Sequence, residues 1–324
     1  MALLEVRNLE VKFPLRQGEL TALRDVSFSL DPGERLGIVG ESGAGKSVAA
    51  FAILNLIGRP GYIAGGQVLF EGRDLSRLSA TELRRIRGNR ISMIFQDPMM
   101  TLNPVLTIGT QMIESLQAHR AISYTEARTL AIEKLRTVSI PSPDARIDQY
   151  PHELSGGMRQ RVVIAIALLT DPTIIIADEP TTALDVTIQA EIMELLLALC
   201  ENFSVALILI THDLGVVAQV TQRAIVMYAG RIVEEGATRS IIDSARHPYT
   251  QGLINALPER TRPGERLNQI PGLMPSLLDI PAGCAFHPRC PHTLTVCRSQ
   301  VPGYSGSAQR RVACHWAGAH GEVL

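Results

Sequence analysis

The sequence predicts an α/β fold with a mainly parallel sheet core, an antiparallel β layer and a helical insert. Short apolar runs that alternate with helical patterns after Arg35 are typical of strands buried on both faces of a parallel sheet. Two strand-like stretches, 4–13 and 22–30, are separated by the turn-forming segment 14–18, which predicts the antiparallel layer. Residues 101–150 show helical periodicity without a strand pattern, which predicts the insert.

The composition is typical of a globular protein with a substantial core, since 46% of the 324 residues are hydrophobic. The 31 Lys and Arg residues balance 32 Asp and Glu residues, so net charge gives no reason to expect nucleic-acid binding. Early acidic residues and alternating hydrophobicity predict a first strand and no signal peptide. The longest apolar runs, 162–169 and 205–210, are far shorter than the roughly 20 residues of a membrane-spanning helix. We therefore expect no membrane span.

Periodicity also predicts the order of the elements. The predicted strands after the antiparallel layer are 35–39, 65–72, 91–95, 173–179 and 205–210, followed by a hairpin of 224–228 and 231–235. The predicted helices are 47–56, 80–87, 108–118, 125–138, 162–169, 188–200 and 214–220.

Frequent prolines interrupt this pattern beyond Gly236, where only 239–244 and 250–257 are typical of helices. No further helix or strand pattern predicts a core in 258–324. We therefore predict a core domain over 1–235, with a helical subdomain over about 101–165, and an irregular C-terminal extension over 236–324.

Residues Gly40 to Ser47 match the phosphate-loop pattern G-x-x-x-x-G-K-[ST]. The motif lies between a predicted buried strand and a predicted helix, which is the context that a phosphate loop requires; a chance Gly- and Ser-rich turn is the alternative. Its glycines allow backbone N–H groups to surround an anion at the helix N-terminus. Lys46 can reach the β- and γ-phosphates, and the Ser47 hydroxyl can bind Mg²⁺. The loop is predicted to bind a nucleoside triphosphate.

Further motifs follow in a fixed order. They are Gln96 after a strand, Leu154-Ser-Gly-Gly-Met158, Asp178-Glu179 at a strand end, Ala183-Leu-Asp185 and His212. Together with the phosphate loop they resemble the ATP-binding cassette (ABC) family over about residues 3–235. The strings FQDP at 95–98, LSGGMRQ at 154–160 and DEPTTALD at 178–185 resemble the subfamily that powers bacterial di- and oligopeptide importers. The segments at 247–250, 270–272 and 284–291 are similar to the C-terminal extension of that subfamily.

The resemblance and side-chain chemistry together predict the catalytic residues. Asp178 ends a buried strand and can hold Mg²⁺ through its water shell, with Ser47 and Gln96 as further ligands. Glu179 is the candidate general base that activates the attacking water. His212 can contact the γ-phosphate, although a lone histidine is more often structural. Gln96 can touch Mg²⁺ or the water and lies where the helical insert begins, which in this family contacts the membrane subunits.

A second anion-binding helix N-terminus is predicted at Ser155-Gly-Gly157, where a helix opens at Met158. In the family this helix caps the γ-phosphate bound to a partner cassette, with Asp185 near the shared interface. Met158 replaces the glutamine common in the wider family, while the capping depends mainly on Ser155 and Gly157.

The aromatic ring of Phe13 can stack on the adenine, and a core position is the equally weighted alternative. The full predicted nucleotide-binding set is Phe13, Gly40, Ser42, Gly43, Ala44, Gly45, Lys46, Ser47, Asp178, Ser155, Gly156, Gly157, Met158 and Asp185.

Four of the five cysteines lie in the extension, at positions Cys284, Cys290, Cys297 and Cys314. Structural disulfides are rare in the cytosol, and four thiols without an obvious core favour a metal site. The resemblance implies a [4Fe–4S] cluster, because some members of the subfamily hold one. Zinc and unligated structural thiols are the alternatives, since the spacing is neither that of a zinc ribbon nor that of a ferredoxin. A ligand could also come from His287, His292 or His315.

The resemblance implies an ATPase subunit that uses ATP and Mg²⁺ to power the import of di- or oligopeptides. The implied partners are a second, homologous but different ABC ATPase subunit, two transmembrane permease subunits and an extracytoplasmic substrate-binding protein, with no nucleic acid. The implied location is peripheral, on the cytoplasmic face of the bacterial inner membrane.

Several alternatives remain open. The same machinery could import nickel, glutathione, D-amino-acid dipeptides or antimicrobial peptides, because substrate contacts lie in other subunits. An exporter cassette and a soluble ABC ATPase acting on ribosomes or DNA are further classes. Soluble members usually have two cassettes in one chain or a long coiled-coil insert, and the sequence shows no internal repeat.

Overall fold

The computed structural model describes residues 2–182, 184–257, 268–307 and 309–319. The chain forms two compact units that interleave in sequence. The first comprises Met1–Asp31, Arg35–Ser76 and Leu209–Leu324, and the second comprises Pro32–Glu34 and Arg77–Ile208. Within the described ranges no helix is both long enough and apolar enough to cross a membrane. Gly236 lies inside the first unit, and the predicted domain division at that residue stays a prediction.

The strands are β1 (Leu4–Leu15), β2 (Gly18–Leu30), β3 (Arg35–Val39), β4 (Tyr62–Phe70), β5 (Arg73–Asp74), β6 (Ile91–Ile94), β7 (Ile174–Asp178), β8 (Ala206–Thr211), β9 (Arg223–Tyr228), β10 (Arg231–Ala237), β11 (Ser305–Ser307) and β12 (Arg310–Val312). The helices are α1 (Lys46–Ile53), α2 (Ala80–Ile86), α3 (Pro98–Thr101), α4 (Ile108–Gln117), α5 (Tyr124–Thr137), α6 (Pro143–Arg146), α7 (Gly156–Leu168), α8 (Val186–Phe203), α9 (Leu214–Val220), α10 (Thr238–Asp243), α11 (Pro248–Asn255) and α12 (His315–Ala319).

The predicted antiparallel layer is a four-stranded sheet of the first unit in the order β2-β1-β4-β5. Pairing of β1 with β2 continues to Leu15 and Gly18, so the turn is shorter than the predicted 14–18. The strand β4 begins earlier than the predicted 65–72, because Tyr62 already pairs with Lys12 of β1. The length of the turn and the start of β4 are both set by pairing with another strand, which the local periodicity of one segment does not indicate.

The predicted parallel core is present in both units. In the first unit β3 runs parallel to β9, with Leu36 opposite Arg223, within the order β11-β12-β10-β9-β3-β8. In the second unit β6 runs parallel to β7, with Ile91 opposite Ile174, within the order β8-β7-β6. The strand β8 begins in the second unit and ends in the first. All five residues of β7 are buried, which explains its continuous apolar sequence. Its last residue, Asp178, lies at the carboxyl edge of the sheet, where parallel α/β folds place their ligands.

Within 101–150, where periodicity predicts a helical insert, the second unit contains α4, α5 and α6, and α3 and α7 flank them in sequence. Its helix α5 begins with a capping box, in which Ser123 Oγ accepts the N–H of Glu126 and the Glu126 carboxylate accepts the N–H of Ser123. These caps satisfy N–H groups that would otherwise lack partners at the helix start.

The extension has more regular structure than the sequence predicts. The strand β12 pairs with β10, with Val312 opposite Glu234, and Phe286 is fully buried in a cluster with Tyr228 and Tyr249. The expectation that 258–324 contains no core was therefore wrong for the described residues. A three-residue strand and a single buried aromatic give no periodic signal, which is why the sequence did not reveal them.

His247 is a buried titratable group whose ring lies 5.7 Å from that of Phe286 between centroids, and its Nδ1 accepts the N–H of Tyr249 at 3.0 Å to cap α11. Burial lowers the pKa of His247 to about 3, so protonation favours the unfolded chain. Stability from the neutral ring is full above about pH 6.5 and is lost as pH falls towards the folded pKa.

We expect the variant His247→Asn to keep the cap and lose this pH dependence, because Asn is a good N-cap acceptor. Urea unfolding between about pH 6 and pH 4 should show the parent losing about 1.4 kcal/mol more per pH unit than the variant. If the free energy of unfolding changed with pH equally in the two proteins, His247 would not be buried in its neutral form.

Candidate functional site

The phosphate loop joins β3 to α1 in the first unit. Lys46 begins α1 and is only 5% exposed, and its Nζ donates hydrogen bonds to the carbonyl oxygens of Gly40 at 2.8 Å and Glu41 at 3.1 Å. These two acceptors hold the ammonium group against the loop. Gly45 precedes the helix in a left-handed conformation with φ of 101°, which glycine adopts without strain. The loop thus presents an ordered cation at a helix N-terminus, the arrangement that binds phosphate groups.

Gly40 shows why the loop requires glycine at its start. Its φ is 154°, and a Cβ atom there would overlap the carbonyl oxygen of Met227. Ala44 and Gly45 are buried, whereas Ser42 and Gly43 are exposed at the outer side of the loop, and Ser47 is half-buried in the first turn of α1. The predicted loop residues therefore form one continuous turn around the start of the helix.

Phe13 lies near the end of β1 with a half-buried ring. The ring packs on Gly61 so closely that a Cβ atom at Gly61 would overlap the ring carbons Cδ1 and Cε1. One face of the ring is thereby fixed by the chain. Stacking of Phe13 on an adenine stays a prediction.

In the second unit, Gln96 and Glu179 come together at the ends of β6 and β7. The Gln96 Nε2 donates a hydrogen bond to Glu179 Oε2 at 3.2 Å, and the Thr182 hydroxyl donates to the same oxygen at 3.0 Å. Glu179 has a φ of 45°, which a non-glycine residue rarely adopts and which is common at functional sites. Its neighbour Asp178 is 3% exposed at the end of β7. The strand thus ends in one buried and one half-exposed carboxylate.

His212 follows the end of β8 in the first unit, and its side chain is exposed. The next residue, Asp213, caps α9 by accepting the N–H of Gly215 at 2.7 Å. The strand end and the capped helix fix the backbone at His212. Its predicted contact with the γ-phosphate stays a prediction.

The helix α7 begins at the predicted Ser-Gly-Gly segment of the second unit. Ser155 Oγ accepts the N–H of Met158 at 3.3 Å and caps the helix. Gly157 lies against Ile188, where a Cβ atom would be 2.9 Å from Cγ2 of that side chain, while Gly156 faces Leu184. Asp185 caps α8 by accepting the N–H of Ile188 at 3.0 Å. Ala183, which belongs to the predicted motif, lies outside the described residues.

The four cysteines of the extension lie close enough for their charges to affect one another. The backbone N–H of Cys284 donates to the carbonyl of Cys297 at 2.9 Å. Burial raises the pKa of Cys284 to about 11 and also raises the pKa values of Cys290 and Cys314, and repulsion from the other thiolates adds to each shift. Without a ligand, the thiols of Cys284, Cys290 and Cys314 are therefore protonated at neutral pH.

A metal ligand set is not formed by these thiols as they stand. Among the residues that the structure describes, no group of three or more His, Cys, Asp or Glu side chains is placed to hold a metal ion. The predicted [4Fe–4S] cluster and the alternative zinc site both stay predictions.

The predicted site residues of each unit carry groups of defined chemistry. The Ser47 hydroxyl, the Asp178 carboxylate and the Gln96 amide oxygen are all oxygen donors, which is the ligand type that Mg²⁺ prefers. Lys46 and the loop N–H groups suit phosphate oxygens, and Glu179 provides a carboxylate able to accept a proton from water. Each of these groups is of a type that the hydrolysis of a nucleoside triphosphate uses.

Comparison with known proteins places the chain among ATP-binding cassette proteins. The ABC transporter family model matches residues 23–182, and the model of the C-terminal region of oligopeptide/dipeptide transporters matches residues 233–297. A dimeric structure of the ATP-binding cassette MJ0796, in a post-hydrolysis state with ADP and Pi, aligns with a TM-score of 0.65 and 32% identity over 73% of this chain and 99% of that chain.

Curated relatives match nearly the whole chain. The dipeptide transport ATP-binding protein DppD of Escherichia coli is 48% identical over 98% of this chain and 97% of its own length. The oligopeptide transport ATP-binding protein OppD of Salmonella typhimurium is 49% identical over 96% of this chain and 93% of its own length. The chain therefore belongs to the ABC transporter ATP-binding family, in its oligopeptide/dipeptide branch. As a member of that family it is an ATPase.

Some residues at the site were not identified from the sequence. Thr182 contacts Glu179, Tyr249 contacts the phosphate loop through its hydroxyl, and Arg289 forms an ion pair with Glu41. Thr182 is part of a motif whose role was assigned to its other members. The contacts of Tyr249 and Arg289 span 208 and 248 residues, so no local pattern could indicate them.

Proposed function

We propose that this chain hydrolyses ATP to power the import of di- or oligopeptides through separate membrane subunits. The observation that carries the proposal is the combination of an ABC cassette with a C-terminal segment that matches the oligopeptide/dipeptide transporter model over residues 233–297. The names of the relatives DppD and OppD support it, since both are peptide transport ATP-binding proteins.

We propose the following roles for the site residues. Lys46 and the loop backbone bind the β- and γ-phosphates, and Ser47, Asp178 and Gln96 hold Mg²⁺, which neutralises developing phosphate charge when bound. Glu179 removes a proton from the attacking water, and His212 contacts the γ-phosphate. The hydrogen bonds from Gln96 and Thr182 to one oxygen of Glu179 orient its carboxylate, which supports the role as base.

Composite sites are proposed between two cassettes. Ser155, Gly156, Gly157 and Met158 open a capped helix of thirteen residues, whose N-terminus is suited to an anion. We propose that this N-terminus and Asp185 face the nucleotide of a homologous but different ATPase subunit.

The membrane partners are proposed to be two permease subunits that work with an extracytoplasmic substrate-binding protein. Exposed apolar side chains in the second unit support a protein contact, including Met100 at 86% exposure and Val105 at 75%. Both lie in or near α3, which follows Gln96 in the chain. A change in conformation at Gln96 on ATP binding or hydrolysis can therefore be transmitted to such a contact. The chain would then lie on the cytoplasmic face of the inner membrane.

Uptake by membrane vesicles that contain the assembled transporter tests the substrate class. We expect ATP-dependent accumulation of a labelled dipeptide or oligopeptide, in competition with unlabelled peptide. Accumulation of nickel or glutathione instead, with no peptide uptake, would contradict the peptide proposal and leave the ATPase assignment intact.

We further propose that Cys284, Cys290, Cys297 and Cys314 hold a [4Fe–4S] cluster with a structural role. The hydrogen bond from the backbone N–H of Cys284 to the carbonyl of Cys297, at 2.9 Å, supports the proximity of two of these residues. Anaerobically purified protein should then be brown and contain about four iron and four sulfide per chain.

The variant Cys297→Ser should lose this metal and become more sensitive to proteolysis in the extension, because metal ligation stabilises a small segment. Cys200→Ser is the control, since Cys200 is buried in α8 of the second unit. Zinc in place of iron, or a metal-free and protease-resistant extension, would contradict the cluster.

A further inference from the structure

Arg289 of the extension binds the phosphate loop through Glu41. Its Nη1 donates to Glu41 Oε2 at 2.7 Å, and its Nη2 donates to Glu41 Oε1 at 3.0 Å. The Arg289 side chain is 5% exposed and that of Glu41 is 31% exposed. Two parallel hydrogen bonds between a guanidinium and a carboxylate fix both distance and orientation. Glu41 is the second residue of the loop, so the ion pair acts on the loop itself.

Two further contacts from the same side support this link. The Tyr249 hydroxyl accepts the backbone N–H of Glu41 at 2.7 Å. The Cε of Met274 lies 3.1 Å from the position that a Cβ atom on Gly43 would occupy. Residues after 236 thus contact the backbone and side chain of Glu41 and the surface of Gly43.

Arg289 is itself held in place on several sides. Its Nε donates to the carbonyl oxygen of Pro271 at 2.8 Å, and its guanidinium lies 5.9 Å from the ring centroids of Tyr228 and Phe286. A side chain fixed by its own partners can transmit the position of the extension to Glu41. An exposed surface arginine would lack this set of fixed partners.

We propose that Arg289 is a positioning residue for ATP binding, which neutralises the carboxylate of Glu41 in the phosphate loop. A triphosphate carries several negative charges, and an uncompensated carboxylate in the loop that receives it would repel it. The ion pair removes this repulsion. ATP affinity then depends on the extension as well as on the loop sequence. The inference rests on ATP binding by the loop and is independent of the imported substrate.

The test is the Kd of the full chain for MgATP, measured by equilibrium binding at low and high salt. We expect Arg289→Gln to weaken binding roughly tenfold at low salt, within the usual range of coupling between sites. The loss should shrink at high salt, because salt screens a half-exposed charge. Arg289→Lys should bind with intermediate affinity, since it keeps the charge and loses the fork.

The double variant Glu41→Gln with Arg289→Gln separates charge compensation from a general structural defect. It should recover most of the lost affinity, because neither an unpaired carboxylate nor an unpaired guanidinium remains. Glu41→Gln alone changes a half-exposed side chain, so this variant should fold even if Arg289→Gln does not. It should bind MgATP at least as tightly as the parent. Arg239→Gln is the matched control, since this exposed Arg pairs only with Asp243 among the described residues.

Parent-like affinity in folded Arg289→Gln, or a double variant no better than Arg289→Gln, would overturn the inference. Where Arg289→Gln does not fold, binding by Glu41→Gln that is weaker than that of the parent would overturn it. A parent that binds no MgATP would instead contradict the proposed function. The two failures are therefore distinguishable.

Discussion

Glu179→Gln is expected to reduce ATP turnover in the assembled transporter by about 10²–10⁴-fold while ATP binding is retained. The amide keeps the size of the carboxylate and can still accept hydrogen bonds from Gln96 and Thr182, which contact Glu179 Oε2 at 3.2 and 3.0 Å. It has lost the basic oxygen that would accept a proton from water. Steady-state phosphate release, combined with equilibrium ATP binding, measures both effects.

Glu191→Gln is the control for this substitution. Glu191 lies in the same unit, is half-exposed and pairs with Arg161 at 2.9 Å, so its loss removes only a surface ion pair. Near-normal turnover by Glu179→Gln would exclude this residue as the base. Loss of turnover in the control would point to a general defect of the second unit.

Lys46→Ala is expected to weaken MgATP binding by roughly 10–100-fold, the effect of losing one charge-assisted hydrogen bond at a buried position. Lys46 is 5% exposed and is held at the loop by the Gly40 and Glu41 carbonyl oxygens, so the truncation removes a cation that the loop holds in place. The variant should differ from Glu179→Gln, which binds ATP and fails in turnover. Titration calorimetry with MgATP measures the loss directly.

Lys134→Ala provides the control, because Lys134 pairs with Asp171 in the second unit at 2.6 Å and has no proposed contact with nucleotide. Its affinity for MgATP should equal that of the parent. Equal affinity in Lys46→Ala and the parent would show that the loop does not bind the phosphates.

Much of the core could be predicted because its signals are local. The strand β3 and the helix α9 have the predicted bounds, 35–39 and 214–220, since each is a short apolar segment between clear breaks. The helix α8 extends beyond the predicted 188–200 to Val186–Phe203, because Asp185 caps its start and Ser204 ends it in a left-handed conformation. Such caps depend on backbone geometry that hydrophobic periodicity does not report.

The motifs of the nucleotide site could also be predicted, because each is a contiguous sequence segment at a strand or helix end. The contacts between these segments could not be predicted from the sequence. The Gln96 to Glu179 hydrogen bond joins residues 83 apart, and the Glu41 to Arg289 ion pair joins residues 248 apart. Both depend on how strands and the extension are arranged in space, which only the tertiary structure shows.

The ATPase rate of the purified chain at increasing dilution, with and without its partner cassette, tests the central claim most directly. Two cassettes are proposed to complete each site, with Ser155 of one chain capping the nucleotide on the phosphate loop of the other. The rate per chain should be low for the isolated protein, fall further on dilution and rise when the partner is added, because association is concentration-dependent. A full rate per chain that persists in a dilute monomer would contradict the composite site.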